Sequence, residues 1–257
     1  MKPPVLLGCI ALGLMIGPAA GQLIPPNELV LGESQAALAD QWYPWILTAP
    51  AATNPLFDTT GAWAGVNNNG PVFFLAGSAG GGFVTRTITV PADKPLFFPI
   101  GNTSDIELPL SMDPNSCLGA ADPNACALAY IQPPLEFSEL VATLDGAPLA
   151  TNFAPFFQRS TALSSFCPAS ADNLFGIVPP DCGGVVQMGY YMALDPLSPG
   201  PHVLNFGATA LDGTQYGAID TLNVVPETST WAMLLVGFAG LGYASYARAR
   251  RATAAIL

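Results

Sequence analysis

The sequence predicts a mainly β domain, an antiparallel β-sandwich with one N-terminal helix. Three observations carry that expectation. Short runs rich in aromatic and β-branched residues recur along the chain, and Gly, Pro and Asn separate them. Glycine and proline each occur 26 times in 257 residues, too often for a helical bundle. Only one stretch carries apolar residues at helical spacing, so two layers of sheet are left to enclose a core.

The elements follow in order. Residues 1–21 have the layout of a signal peptide: Lys2, an uncharged apolar run over 5–16, then Gly17, Pro18 and small residues, with cleavage expected after Ala20 or Gly21. The helix is expected over 34–43. Ser34 is its N-cap, Leu38, Trp42 and Trp45 lie at i, i+4 and i+7, and Pro44 should stop or kink it. Strands are expected over 72–77, 83–90, 96–100, 140–144, 202–206 and 221–225, with an Asp212-Gly213 turn inside the closing segment. The Gly-rich stretch 76–83 lies between two strands and lacks the Lys-Ser/Thr ending of a phosphate loop, so it reads as a connection. In 83–90, alternation places Arg86 with Val84, Ile88 and Val90, opposite Thr85, Thr87 and Thr89. A buried Arg86 needs a carboxylate partner; an arginine at the sheet margin does not.

Between the ends, residues 22–224 form one exported domain, long enough for its own core. It holds three basic residues, Arg86, Lys94 and Arg159, against 17 acidic ones, a net charge near −14. Nucleic acid is excluded as a partner, because phosphate contacts require several cations. The domain's four cysteines read as two disulfides, with local pairing Cys117–Cys126 and Cys167–Cys182 expected. No Cys-x-x-Cys pair exists and His202 is the single histidine, so no zinc site, metal or cofactor is expected.

The search for chemistry is brief. Asp-Pro-Asn-x-Cys occurs from Asp113 and again from Asp122; its oxygens suit calcium, but the spacing matches no EF-hand loop and reads first as turns. Asp105 with Glu107, and Glu136 with Glu139, are carboxylate pairs of the type glycosidases use, without a sign that either flanks a cleft. His202 is a candidate base, but no Gly-x-Ser-x-Gly elbow supplies a nucleophile. No catalytic residue is assigned, and the chain is expected not to be an enzyme.

Two resemblances add to this reading. The last hairpin is similar to that of many bacterial immunoglobulin-like domains, so the sandwich is expected to be immunoglobulin-like or jelly-roll-like. In the tail, Val225-Pro226-Glu227-Thr228 precedes an uncharged stretch over 231–247 that begins Trp-Ala-Met-Leu-Leu, and Arg248, Arg250 and Arg251 close it within residues 248–251. Seventeen uncharged residues with Pro226-Glu227 at one end and arginines at the other suit a transmembrane helix with its basic end in the cytoplasm. The order of motif, span and basic end over 225–257 resembles a PEP-CTERM sorting signal, with Thr228 where that family has a second proline. The resemblance implies a Gram-negative bacterium that makes exopolysaccharide. It also implies processing by exosortase, a membrane protease, and passage through the inner membrane to the cell surface or beyond.

Separately, phrases between Trp42 and Ile100, "WYPWILTAPAATNPLFDTTG" and "TRTITVPADKPLFFPIGN" among them, resemble a family of uncharacterised secreted bacterial proteins. That resemblance implies that Ala64 and Ile88, where family members carry cysteines, lie side by side. The function expected is a non-catalytic envelope or extracellular-matrix protein, acting through adhesion, packing or association with exopolysaccharide. The alternative is a module that binds or hydrolyses a neutral glycan, with Trp42, Trp45 and Trp63 as stacking residues.

Overall fold

The computed structural model describes residues 21–226, together with Val236, Phe238 and Ala239. Between residues 21 and 226 the elements are β1 (Leu23–Ile24), α1 (Gln35–Thr48), β2 (Phe73–Phe74), β3 (Gly82–Pro91), β4 (Leu96–Glu107), α2 (Pro123–Leu128), β5 (Phe137–Leu144), β6 (Ala147–Pro148), β7 (Phe157–Arg159), β8 (Ser164–Phe166), β9 (Gly183–Leu194), β10 (Gly200–Ala210) and β11 (Gln215–Val225). The protein is mainly β, with two sheets and few helices.

Sheet one is organised on β9. Along one edge β4 pairs antiparallel with it from Leu96↔Leu194 to Glu107↔Gly184. Along the other edge β8, β7 and β1 pair with successive parts of β9. Sheet two has the order β3-β11-β10-β5-β6, and its β10–β11 hairpin turns at Asp212-Gly213 as expected. The expected all-antiparallel pairing is corrected at two places: β3 runs parallel to β11, and β2 parallel to β4. The chain leaves β3 for sheet one and returns to sheet two only at β5, so no tight turn dictates the direction of the β3–β11 pair.

The two sheets share a core in which Phe98, Ile100 and Met192 of sheet one meet Ile88, Leu204, Phe206 and Leu222 of sheet two. Phe98 and Phe206 lie with ring centroids 4.8 Å apart. Burying each such ring contributes roughly 1.5–3 kcal/mol relative to exposure. Ala64 and Ile88 both belong to this cluster.

Helix α1 covers the other face of sheet one, where Leu38, Trp42, Trp45 and Ile46 pack with Phe97, Tyr191 and Ala193. A third layer therefore replaces the expected two-layer arrangement. Ser34 caps the helix, its Oγ accepting from the Ala37 N–H at 3.2 Å. The helix runs through Pro44 to Thr48, whose hydroxyl donates to the Pro44 carbonyl at 2.7 Å. Burial of Trp45, Ile46 and Leu47 outweighs the one backbone bond that proline removes.

Strand β9 was not expected from sequence. Buried on both faces, it shows no polar alternation, and its glycines lower its strand propensity. Gly189 is required there, because a Cβ would lie 2.4 Å from the Asn102 side chain on β4. Helix α2 was read as turn; its Asp122 is an N-cap rather than a turn residue alone.

Among the described residues no helix is long and apolar enough to cross a membrane. The signal segment 1–20 and the tail from Glu227, including Thr228, most of 231–247 and Arg248, Arg250 and Arg251, lie outside the described residues.

Candidate functional sites

Trp42 and Trp45 are core residues. They are 3% and 7% exposed, and their indole N–H groups donate to the carbonyls of Leu75 and Val66, each at 2.9 Å. A stacking platform needs an open ring face, and neither has one. Their i, i+4, i+7 stripe is core packing, the first reading of that spacing, and the alternative in which they stack on a glycan is corrected. Trp63 is half-buried.

Arg86 is buried at 4% exposure and faces Asp220, its register partner on β11, which is fully buried. Nε and Nη2 donate to the two carboxylate oxygens at 2.9 and 3.0 Å, a bidentate pair. The remaining guanidinium donors reach the carbonyls of Pro55, Asp58 and Ala76. All five N–H groups are thus matched. Burial pushes the Asp220 carboxyl above its ordinary range, and Arg86 opposes that rise. Asp58, in the same loop, accepts from Thr60, Gly61 and Trp63. Burial raises its pKa, but those bonds outweigh it and hold the carboxyl low. The cluster fastens loop 55–63 and residue 76 onto sheet two. It is closed to solvent and offers no ligand an opening.

His202 lies between two partners that sequence reading missed. Its Nδ1 is 2.8 Å from Asp145 Oδ2, and its Nε2 is 3.1 Å from Ser198 Oγ. That connectivity matches a Ser-His-Asp hydrolase. Two features argue against the chemistry. Nε2 is also 3.0 Å from the Ser198 carbonyl, so the hydroxyl shares that nitrogen with a backbone oxygen rather than having it as a dedicated base. The residue after Ser198 is Pro199, which has no N–H to stabilise an oxyanion. The arrangement is a clamp between the β5–β6 turn and the start of β10. Burial raises the Asp145 pKa, yet His202 and the Val203 N–H outweigh it and lower the carboxyl overall. Neither Asp145 nor Ser198 had a local signal, because the β5–β10 register alone brings Asp145 beside His202.

The carboxylate pairs part company. A register shift after Pro99 turns Gly101 toward sheet two, so Asp105 and Glu107 share its side of β4. Glu107 Oε2 accepts from Ser116 Oγ at 2.8 Å and from the Cys117 N–H at 2.6 Å, which ties β4 to the disulfide loop. Asp105 Oδ2 is buried without a partner. Burial, then the neighbouring Glu107, pushes Asp105 up to about 6. The two are therefore neighbours on one side of a strand rather than two carboxylates across a cleft. Glu136 and Glu139 are both exposed on the β5 side of sheet two.

The cysteines pair as expected, Cys117 with Cys126 and Cys167 with Cys182. The repeated Asp-Pro-Asn side chains accept from backbone N–H groups: Asp113 from Asn115 and Asp122 from Ala125 locally, and Asn124 from the distant Leu163. No group of three or more metal-ligating side chains occurs among the described residues. Of the domain's cations, Arg159 donates to the carbonyls of Leu128 and Ile131 and Lys94 to that of Asn68, so neither sits in a basic patch with Arg86. Of the sorting motif, Val225 ends β11 and Pro226 follows it.

Comparison of the chain with protein-family models, with curated proteins and with solved structures finds no match.

Proposed function

We propose that this protein is a non-catalytic component of a bacterial envelope or extracellular matrix, exported as a disulfide-bonded β-sandwich and sorted through its C-terminal tail. The observation that carries the reading is the order of the tail itself: Val225-Pro226-Glu227-Thr228, an uncharged 17-residue stretch, then Arg248, Arg250 and Arg251. Two features support it. The last strand among the described residues ends at Val225, so the motif begins at the end of that strand. Two bonded cysteine pairs suit an oxidising compartment. The two sheets over one core suit a sandwich of immunoglobulin-like or jelly-roll-like type, with α1 added to one face. An exosortase-type protease is the implied partner, the membrane a transient one, and exopolysaccharide the implied surrounding.

Intact and peptide mass spectrometry of the protein from its native envelope tests this. The expected chain starts near Gln22, ends near Glu227 and gains one hydrogen at each of four cysteine sulfurs on reduction. Recovery of peptides from residues 231–257 in the surface-located protein would overturn the sorting step and leave a protein anchored by its own tail.

A further inference from the structure

The five strands of sheet two contain only three charged side chains: Arg86, Asp220 and Glu139. The first two face inward and pair, so the outer face carries Glu139 alone, in a domain with 17 acidic residues. Thr85, Thr87, Thr89 and Asn223 are exposed on that face. At one end lies a hollow of about 250 Å3 beside Phe83. Its construction is specific. Gly207 and Gly217 face each other across β10 and β11, and a Cβ on either would come within 2.6 Å of the Phe83 ring. The two missing side chains thus make room for that ring against bare backbone. Around it stand Glu139, Thr209, Gln215 and Asn205, the last with an Oδ1 that has no hydrogen-bond partner.

We infer that this hollow binds one ring of a neutral, polyhydroxylated ligand, a sugar unit of an uncharged glycan. The chemistry of the lining selects it. Phe83, with Val141 and Ile219, offers apolar surface for the C–H face of a pyranose. Glu139, Thr209 and Gln215 offer side-chain acceptors for hydroxyl donors. No cation lines the hollow, so an anionic glycan meets only repulsion. Its volume falls below the range of about 300–1,000 Å3 typical for drug-sized ligands and suits a single ring on a longer chain.

This deepens the matrix reading, and its test is separate: the mass measurement reports where the chain goes, and a titration reports what the hollow takes. Full-length protein is titrated with neutral hexasaccharides (gluco-, manno- and galacto-configured), with an anionic hexagalacturonate and with a cationic glucosamine hexamer. At least one neutral hexasaccharide should bind. Phe83→Ala and Gln215→Ala should each weaken binding about tenfold or more, and Thr89→Ala, on the same face but outside the hollow, should leave it unchanged. Gln215 is exposed, so its variant keeps the fold if Phe83→Ala does not. Binding that survives both substitutions, preference for either charged oligomer, or no neutral binding at all would overturn the assignment.

Discussion

Asp220→Asn keeps the shape of the side chain opposite Arg86 and removes its charge. The guanidinium then stays buried with its three carbonyl partners but without its counter-charge. Removing one partner of a buried pair costs about 3–5 kcal/mol. At about 2–4 °C per kcal/mol for a domain of this size, the melting temperature should fall by roughly 6–20 °C. Arg86→Met should be worse near neutral pH. It strands a fully buried carboxylate and also leaves the carbonyls of Pro55, Asp58 and Ala76 without that donor. Burial already raises the Asp220 pKa, and without Arg86 nothing opposes the rise. A carboxyl whose folded pKa lies above its unfolded value favours folding more as pH falls, so the Arg86→Met deficit should shrink in acid. The double variant Arg86→Met/Asp220→Leu removes both charges and should recover most, not all, of the loss. Urea melts of the parent, Arg86→Met, Asp220→Leu and the double variant close the cycle. If Asp220→Asn falls within about 1 kcal/mol of the parent, or the coupling is under about 0.5 kcal/mol, the pair is not the staple described.

Other outcomes follow from the same geometry. Asp105→Asn should stabilise the protein at pH 7: a carboxyl displaced from 3.8 to about 6 costs the folded state up to about 3 kcal/mol when ionised, less for a half-buried group. Because the folded pKa is the higher one, parent stability should decline as pH rises from about 4 through 6, and the variant's should not; parallel curves would refute the raised Asp105 carboxyl. Asp145→Ala should lower the melting temperature near neutral pH and have no effect in strong acid, since a carboxyl held low contributes stability that is lost as pH falls through its folded pKa. Equal destabilisation at both extremes would remove the clamp from account. Reduction of Cys167–Cys182, which closes a 15-residue separation, should cost about 3 kcal/mol in urea melts, and an unchanged midpoint would show the bond to be superfluous.

Legibility followed locality. The Ser34 cap, the Asp212-Gly213 turn and the inward face of Arg86 were readable because each depends on residues within a few positions. The two cysteine pairs, 9 and 15 residues apart, were readable for the same reason. The partner of Arg86 stands 134 residues away, and parallel pairing of β3 with β11 alone brings it there. Trp42 and Trp45 left a second reading open because a buried aromatic stripe and a sugar platform share one spacing; only exposure separates them. The hollow beside Phe83 left no motif, since it depends on two glycines and one ring brought together from three strands.

The sequence alone determined the mainly β character, the acidic surface that turns away nucleic acid, the local cysteine pairs and the tail whose layout motivates the proposed destination. These are properties of composition and short-range order, which survive without knowledge of contacts. Tertiary structure decided the rest. It made β9 the centre of sheet one, laid α1 over its outer face, set β3 parallel to β11 and left one face of sheet two almost without charge. Burial on both sides erases the alternation that marks a strand, and register depends on residues far apart in the chain. Both are settled only when the whole core closes.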